Sequence, residues 1–134
     1  MSYEAGAALQ KALFDALSVD SALRELVGTA IHDADPDGAA DLYVVLGPER
    51  VAGASDATGA GAVHRATIGV VTTRAGFRAA KAAAARISAI LHDASLPLAT
   101  GRLVALDFLD ARASRDRTAR TRRVDMTFRA RIEL

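Results

Sequence analysis

The chain has no cysteine and no tryptophan. The first absence excludes disulfides and thiolate chemistry, and leaves histidine and the carboxylates as the only strong metal ligands. It fits a reducing compartment. Only four Phe and two Tyr stand among 134 residues, so a core must be assembled from Leu, Ile, Val and Ala. No apolar run approaches the roughly 20 residues of a membrane span, and Met1-Ser2-Tyr3-Glu4 opens without the basic cluster of an export signal. The expectation is a soluble protein made in the cytoplasm, with no membrane partner. Net charge is +1, from 17 basic and 16 acidic residues, a poor overall signature for a nucleic-acid binder. The length fits one domain over 1–134, long enough to bury a real core.

What the chain does have is concentrated in its last third. Val124, Met126, Phe128, Ala130, Ile132 and Leu134 alternate without a break with Asp125, Thr127, Arg129, Arg131 and Glu133. Period two puts one set on a buried face and the other on a wet face or a partner. Before this strand lie Arg112, Arg115, Arg117, Arg120, Arg122 and Arg123. The preceding strand, Arg102 to Ala111, carries Val104, Leu106 and Phe108 on one side, so the two strands and their arginine-crowded turn form a long C-terminal β-hairpin.

Earlier segments read as helices and shorter strands. Ser2 is placed as an N-cap, and Ala5, Leu9, Ala12, Leu13, Ala16 and Leu17 recur at helical spacing. Asp20 caps a second helix carrying Leu23, Leu26 and Val27, which Gly28 closes. Ile31 centres a brief strand, and Asp35-Pro36-Asp37-Gly38 is a turn. Leu42 to Leu46 is a buried strand ended by Gly47-Pro48, and residues 52–62 are small enough to predict a mobile loop. His64 to Thr73 is a strand, with Ala66, Ile68, Val70 and Thr72 on one side. Arg74 to Asp93 is the longest helix, with Phe77, Ala80, Ala84, Ile87 and Leu91 as its core stripe. Strands and helices do not alternate strictly. The expected fold is α+β: a mostly antiparallel sheet with helices packed on one face.

No catalytic constellation is visible, and the reading is a non-enzyme. Asp33, Asp35 and Asp37 with Gly38 match half of a calcium loop, but the twelfth position, where a bidentate acid is needed, is Val44. An acidic turn is the simpler account. His32, His64 and His92 lack metal-ligand spacing, and Gly59-Ala60-Gly61 lacks the ending of a phosphate loop. Neither a cofactor nor a metal is implied. The arginine cluster admits three readings: phosphate contact, ion pairing between subunits, or a solvated tip. Near-zero net charge with segregated acidic and basic segments favours the second.

Leu9 to Leu17, Asp20-Ser21-Ala22-Leu23-Arg24-Glu25-Leu26-Val27, Ile31, Pro36 and Leu42-Tyr43-Val44-Val45-Leu46-Gly47, in that order and spacing, resemble the front half of a known family. It is the tail-terminator (tail completion) family of long-tailed, siphovirus-like phages and gene transfer agents. The resemblance continues through the strand at 66–73, the helix ending Ile90-Leu91-His92-Asp93-Ala94, and the hairpin closing on Phe128-Arg129-Ala130. The chain departs from the family at Leu42, where a proline is frequent, and at Val70-Val71-Thr72, where an aromatic is frequent.

The resemblance implies a structural virion protein that forms a homohexameric ring, and that can stay monomeric in solution. The ring caps the tail tube at its head-proximal end and joins it to a head-completion (stopper) protein. The expected partners are thus itself, the tail tube protein and the stopper, with DNA only passing through the lumen. The implied place is the head–tail junction of a virion or phage-like particle assembled in the bacterial cytoplasm. A DNA-binding or other head–tail connector (stopper or adaptor) module using the arginine turn is the alternative. Candidate contact residues are Arg112, Arg115, Arg117, Arg120, Arg122, Arg123, Arg129 and Arg131, with Asp35 and Asp37 in the acidic turn and Glu49 and Arg50 beside the flexible loop. The loop is expected to order against a neighbouring ring, and the arginine turn to pair with an adjacent subunit.

Overall fold

A computed structural model describes residues 3–34, 36, 38, 40–53 and 61–134. Among the described residues, three helices, α1 (Gly6–Ser18), α2 (Ser21–Val27) and α3 (Arg78–Leu91), accompany five strands. The strands are β1 (Ile31–His32), β2 (Leu42–Gly53), β3 (Gly61–Thr72), β4 (Arg102–Asp116) and β5 (Thr121–Glu133). They form one sheet in the order β1-β2-β3-β5-β4, parallel only between β1 and β2. This is the expected α+β class, with the helices on one face.

The unbroken alternation of β5 explains the layering. Val124, Met126, Phe128, Ala130 and Ile132 are all buried, and the polar residues between them are not. In register beside them on β3 lie Val70, Ile68, Ala66, His64 and Ala62, so one continuous apolar face runs across both strands. The helices close over it with Leu9, Leu13, Leu17, Leu23, Ala80, Ala83, Ala84, Ile87 and Leu91. Phe128 sits at the centre and is fully buried. A large side chain of that kind contributes about 1.5–3 kcal/mol when removed from water. The small residues of α3 let its backbone approach the sheet closely; Ala80 and Ala83 have no exposed surface.

Local signals set the helix ends. Asp20 Oδ2 accepts from the Leu23 N–H at 2.9 Å and caps α2. The same carboxylate takes two bonds from Arg86 on α3, at 2.8 and 2.7 Å, which ties α2 to α3. These bonds hold Asp20 down at about 2, the Arg86 guanidinium being the larger cause and the Leu23 amide the next. Helix α1 begins at Gly6, with Ala5 at its cap and no side-chain cap bond; the expected cap, Ser2, lies outside the described residues. Helix α3 begins at Arg78, later than its periodicity predicts, and Phe77 stands at its cap beneath Lys81 and Arg122.

Two strands run differently from their sequence patterns. Gly47-Pro48 does not end β2. A register shift between Leu46 and Glu49 absorbs the pair, and β2 continues to Gly53. Gly47 has φ +110, a region open to glycine, and a bulge is where a strand tolerates a residue without an N–H. Strand β4 is longer than expected and has register shifts between Leu103 and Ala105 and between Phe108 and Asp110. Leu103, Leu106 and Phe108 therefore pair with the inward residues Ile132, Ala130 and Phe128. Val104 is turned out and is 41% exposed. Each extra residue flips the face of the segment after it.

Candidate functional site

The structure separates the arginines into three settings. The first is an arm. Past Phe108 the outer strand β4 and its turn are exposed, residues 109–113 on both faces, while the paired β5 still buries Met126 and Val124. Arg112, Arg115, Arg117 and Arg120 are all exposed on this arm. The turn at its end is fixed by Asp116, whose Oδ1 accepts from the Ala119 N–H at 3.0 Å.

The second setting is internal. Arg122 donates to the Arg74 carbonyl at 3.3 Å and lies over the Phe77 ring, so it secures the segment leading into α3. Arg123 forks onto Asp125, with bonds of 2.9–3.2 Å. That pair lies flat across β3 at Gly69, where an added Cβ would stand 2.8 Å from both Arg123 Nη2 and Asp125 Oδ1. Gly69 is thus the space that lets the pair form.

The third setting is the sheet face opposite the helices. Arg50, Arg65 and Arg129 are direct cross-strand neighbours on β2, β3 and β5, and Asp107 on β4 ends the row. Arg129 approaches Asp107 at 4.0 Å. Arg131 lies further along the same face of β5, in register with Val63. Sequence reasoning found Arg50, Arg129 and Arg131 but missed Arg65, the centre of the row. Its significance is a matter of register, which no local pattern carries.

Glu49 has a different environment from its neighbour Arg50. Its Oε1 accepts from the Tyr3 hydroxyl at 2.7 Å, and its Oε2 faces Nδ1 of the fully buried His64 at 3.0 Å. A carboxylate only accepts, so the His64 proton sits on Nδ1. Nε2 is buried without a hydrogen-bond partner among the described residues. Tyr3 stacks on the imidazole, and Glu49 raises the tyrosine's pKa by accepting its hydrogen bond and by its negative charge. Glu49 is therefore part of an internal Tyr–Glu–His tie between the N-terminal segment and the β2–β3 hairpin. Asp35, Asp37 and the loop residues 54–60 lie outside the described residues.

One group of possible metal ligands gathers among the described residues: His92, Asp93 and Asp107. It does not suit a cation. His92 Nδ1 accepts from the Phe108 N–H at 3.2 Å, which leaves the proton on Nε2, and Nε2 points to Asp93 Oδ2 at 3.6 Å. Those contacts do something else. Together with the Asp93 N–H donating to the Leu106 carbonyl at 2.8 Å, they cover the outer edge of β4 around residues 106–108. Beyond Phe108, among the described residues, no segment pairs with that edge.

The family model for tail completion protein gp17 matches residues 11–133. The chain belongs to that family. It is a structural tail protein, as the order and spacing of its segments led us to expect. Among solved structures, a chain of the virion of a native gene transfer agent particle is similar over its whole length. It is 54% identical, with a TM-score of 0.93, covering 99% of this chain and 100% of that one. No curated protein sequence matches the chain.

Proposed function

We propose that this tail completion protein is a ring-forming tail terminator. It caps the tail tube at its head-proximal end, halts tube growth and joins the tail to the head-completion protein at the head–tail junction. DNA passes through the ring without being gripped. The observation that carries this reading is the end-to-end likeness to a chain of an assembled gene transfer agent virion.

The geometry supplies the means. Closed rings need two unlike surfaces on each subunit. The sheet has two unlike edges, the two-residue β1 and the fifteen-residue β4. One part of β4 is covered and the rest is left bare, with Leu109 42% exposed at the boundary. Long open edges invite pairing with another chain and are usually blunted in proteins that work alone. The exposed arginines of the arm lie beside this edge and set the charge of the contact. Arg122, Arg123 and Glu49 also make bonds within the subunit, so the test of the arm uses Arg112, Arg115, Arg117 and Arg120, whose removal spares those bonds.

Replacing those four arginines by Glu leaves the purified subunit folded and abolishes tail capping in particles. Circular dichroism checks the fold, and electron microscopy of complemented particles checks the tails. Normal, joined tails with the quadruple variant would remove the arm from the mechanism.

A further inference from the structure

The open face of the sheet carries an arrangement that the fold does not need. Arg65 stands directly between Arg50 and Arg129 on adjacent strands. Like charges placed opposite one another across strands are destabilising. One carboxylate, Asp107, belongs to the row, and it reaches Arg129 at 4.0 Å from the far end. Arg50 and Arg65 have no carboxylate partner among the described residues, and both are exposed. The same face shows what an internally satisfied arginine looks like: Arg123 takes both oxygens of Asp125. The helix layer is on the opposite side, so nothing among the described residues covers the row.

We propose that the row Arg50–Arg65–Arg129 is a docking site for an acidic, extended segment of another protein chain. Neighbouring strands lie about 4.8 Å apart, so the row presents three guanidinium forks over roughly 10 Å. Carboxylates on alternate residues of an extended segment recur about every 6.6 Å. Two or three of them fall within reach of the row, each able to take a bidentate fork. Nucleic acid fits less well. Asp107 closes the row, and Asp110 stands beside it on β4 in register with Thr127. A duplex is wider than the row and would press its phosphates against those carboxylates. Three guanidiniums also fall short of the roughly 6–10 phosphate contacts on which strongly salt-dependent DNA binding is built. A narrow acidic strand avoids the rim. This site stands apart from the terminator reading: a chain that capped nothing would still bind such a segment.

The test is a titration of the full chain at low ionic strength, read by fluorescence anisotropy. The probes are a labelled alternating Glu-Ala octapeptide, the matching Lys-Ala octapeptide and a labelled DNA duplex. Saturable binding of the Glu-Ala peptide alone is expected. Arg65→Gln weakens it about tenfold, as loss of a charged hydrogen-bonding group should. Lys11→Gln, at a residue of α1 paired with Asp15, leaves it unchanged. Arg65→Gln should melt no lower than the parent, because it relieves repulsion. The proposal is overturned if the acidic peptide does not saturate, or if Arg65→Gln binds it as the parent does. It is equally overturned if the duplex binds through Arg65, or if Arg65→Gln melts well below the parent.

Discussion

The two faces of this sheet share a backbone and differ in almost everything else. On the helix side, Val124, Met126, Phe128, Ala130 and Ile132 are sealed under α1, α2 and α3. On the other side, the same strand shows Arg123, Asp125, Arg129, Arg131 and Glu133. The covered face is organised for its own stability, with apolar contacts that close internally. The open face holds three arginines abreast, a like-charge pattern for which the proposed acidic segment would supply the counter-charge. The alternation of a single strand thus puts the stabilising apolar contacts on one side of the layer and the proposed acidic-segment site on the other.

If that division is right, substitutions on the two faces should have opposite signs. Phe128→Ala on the covered face should cost about 3–5 kcal/mol, measured by urea unfolding, since it leaves a large cavity among side chains with no exposed surface. A loss below about 1 kcal/mol would show that the helix layer is not the main source of stability. Glu49→Ala should cost less, about 1–3 kcal/mol, by leaving the buried His64 Nδ1–H without an acceptor. An unchanged midpoint would show that the Glu49–His64 contact does not support the fold.

Smaller again, and confined to acid, is the effect of Asp20. Its pKa is lowered in the folded state from 3.8 to about 2, so the unfolded chain binds its proton first. The stability it gives is present above about pH 4 and fades as pH falls towards 2. Asp20→Asn keeps a capping side chain but loses the charge pair with Arg86. Its melting temperature should fall below the parent's at neutral pH and approach it near pH 2, where the parent's carboxylate is itself protonated; a constant gap would contradict the pairing. The smallest effect, and the one of opposite sign, belongs to the open face. Arg65→Thr should raise stability by about 0.2–1 kcal/mol by removing a like-charge neighbour from two arginines. A loss of that size would mean the row is satisfied internally.

One of these faces was easy to read from the residues and the other hard. The period-two run from Val124 to Ile132 has no interruption, so both its burial and its strand length could be inferred directly. The Asp20 cap and the closure of α2 at Gly28 were legible because capping chemistry is local. Strand β4 was harder, because the bulges after Leu103 and Phe108 each reverse the facing of the residues beyond them. Gly47-Pro48 carries a strong stop signal, and only the pairing of β2 with β3 shows that it is a bulge within a strand. The arginine row was invisible for a similar reason. Arg50, Arg65 and Arg129 are scattered along the chain, and the register of three strands brings them abreast. The hairpin arginines, by contrast, form one cluster in the sequence, yet Arg122 and Arg123 bond within the fold and the other four stand exposed on the arm. Family membership was legible from the order and spacing of whole segments, which survive where individual motifs are weak.

On the proposed reading, this protein acts by fitting onto neighbouring chains at the top of the tail. Electron microscopy of particles produced without it would settle this, with tail length and head attachment scored on the same images. Tails of excess and variable length that remain separate from filled heads are the expected result. Tails of uniform normal length, joined to heads in the usual proportion, would contradict it.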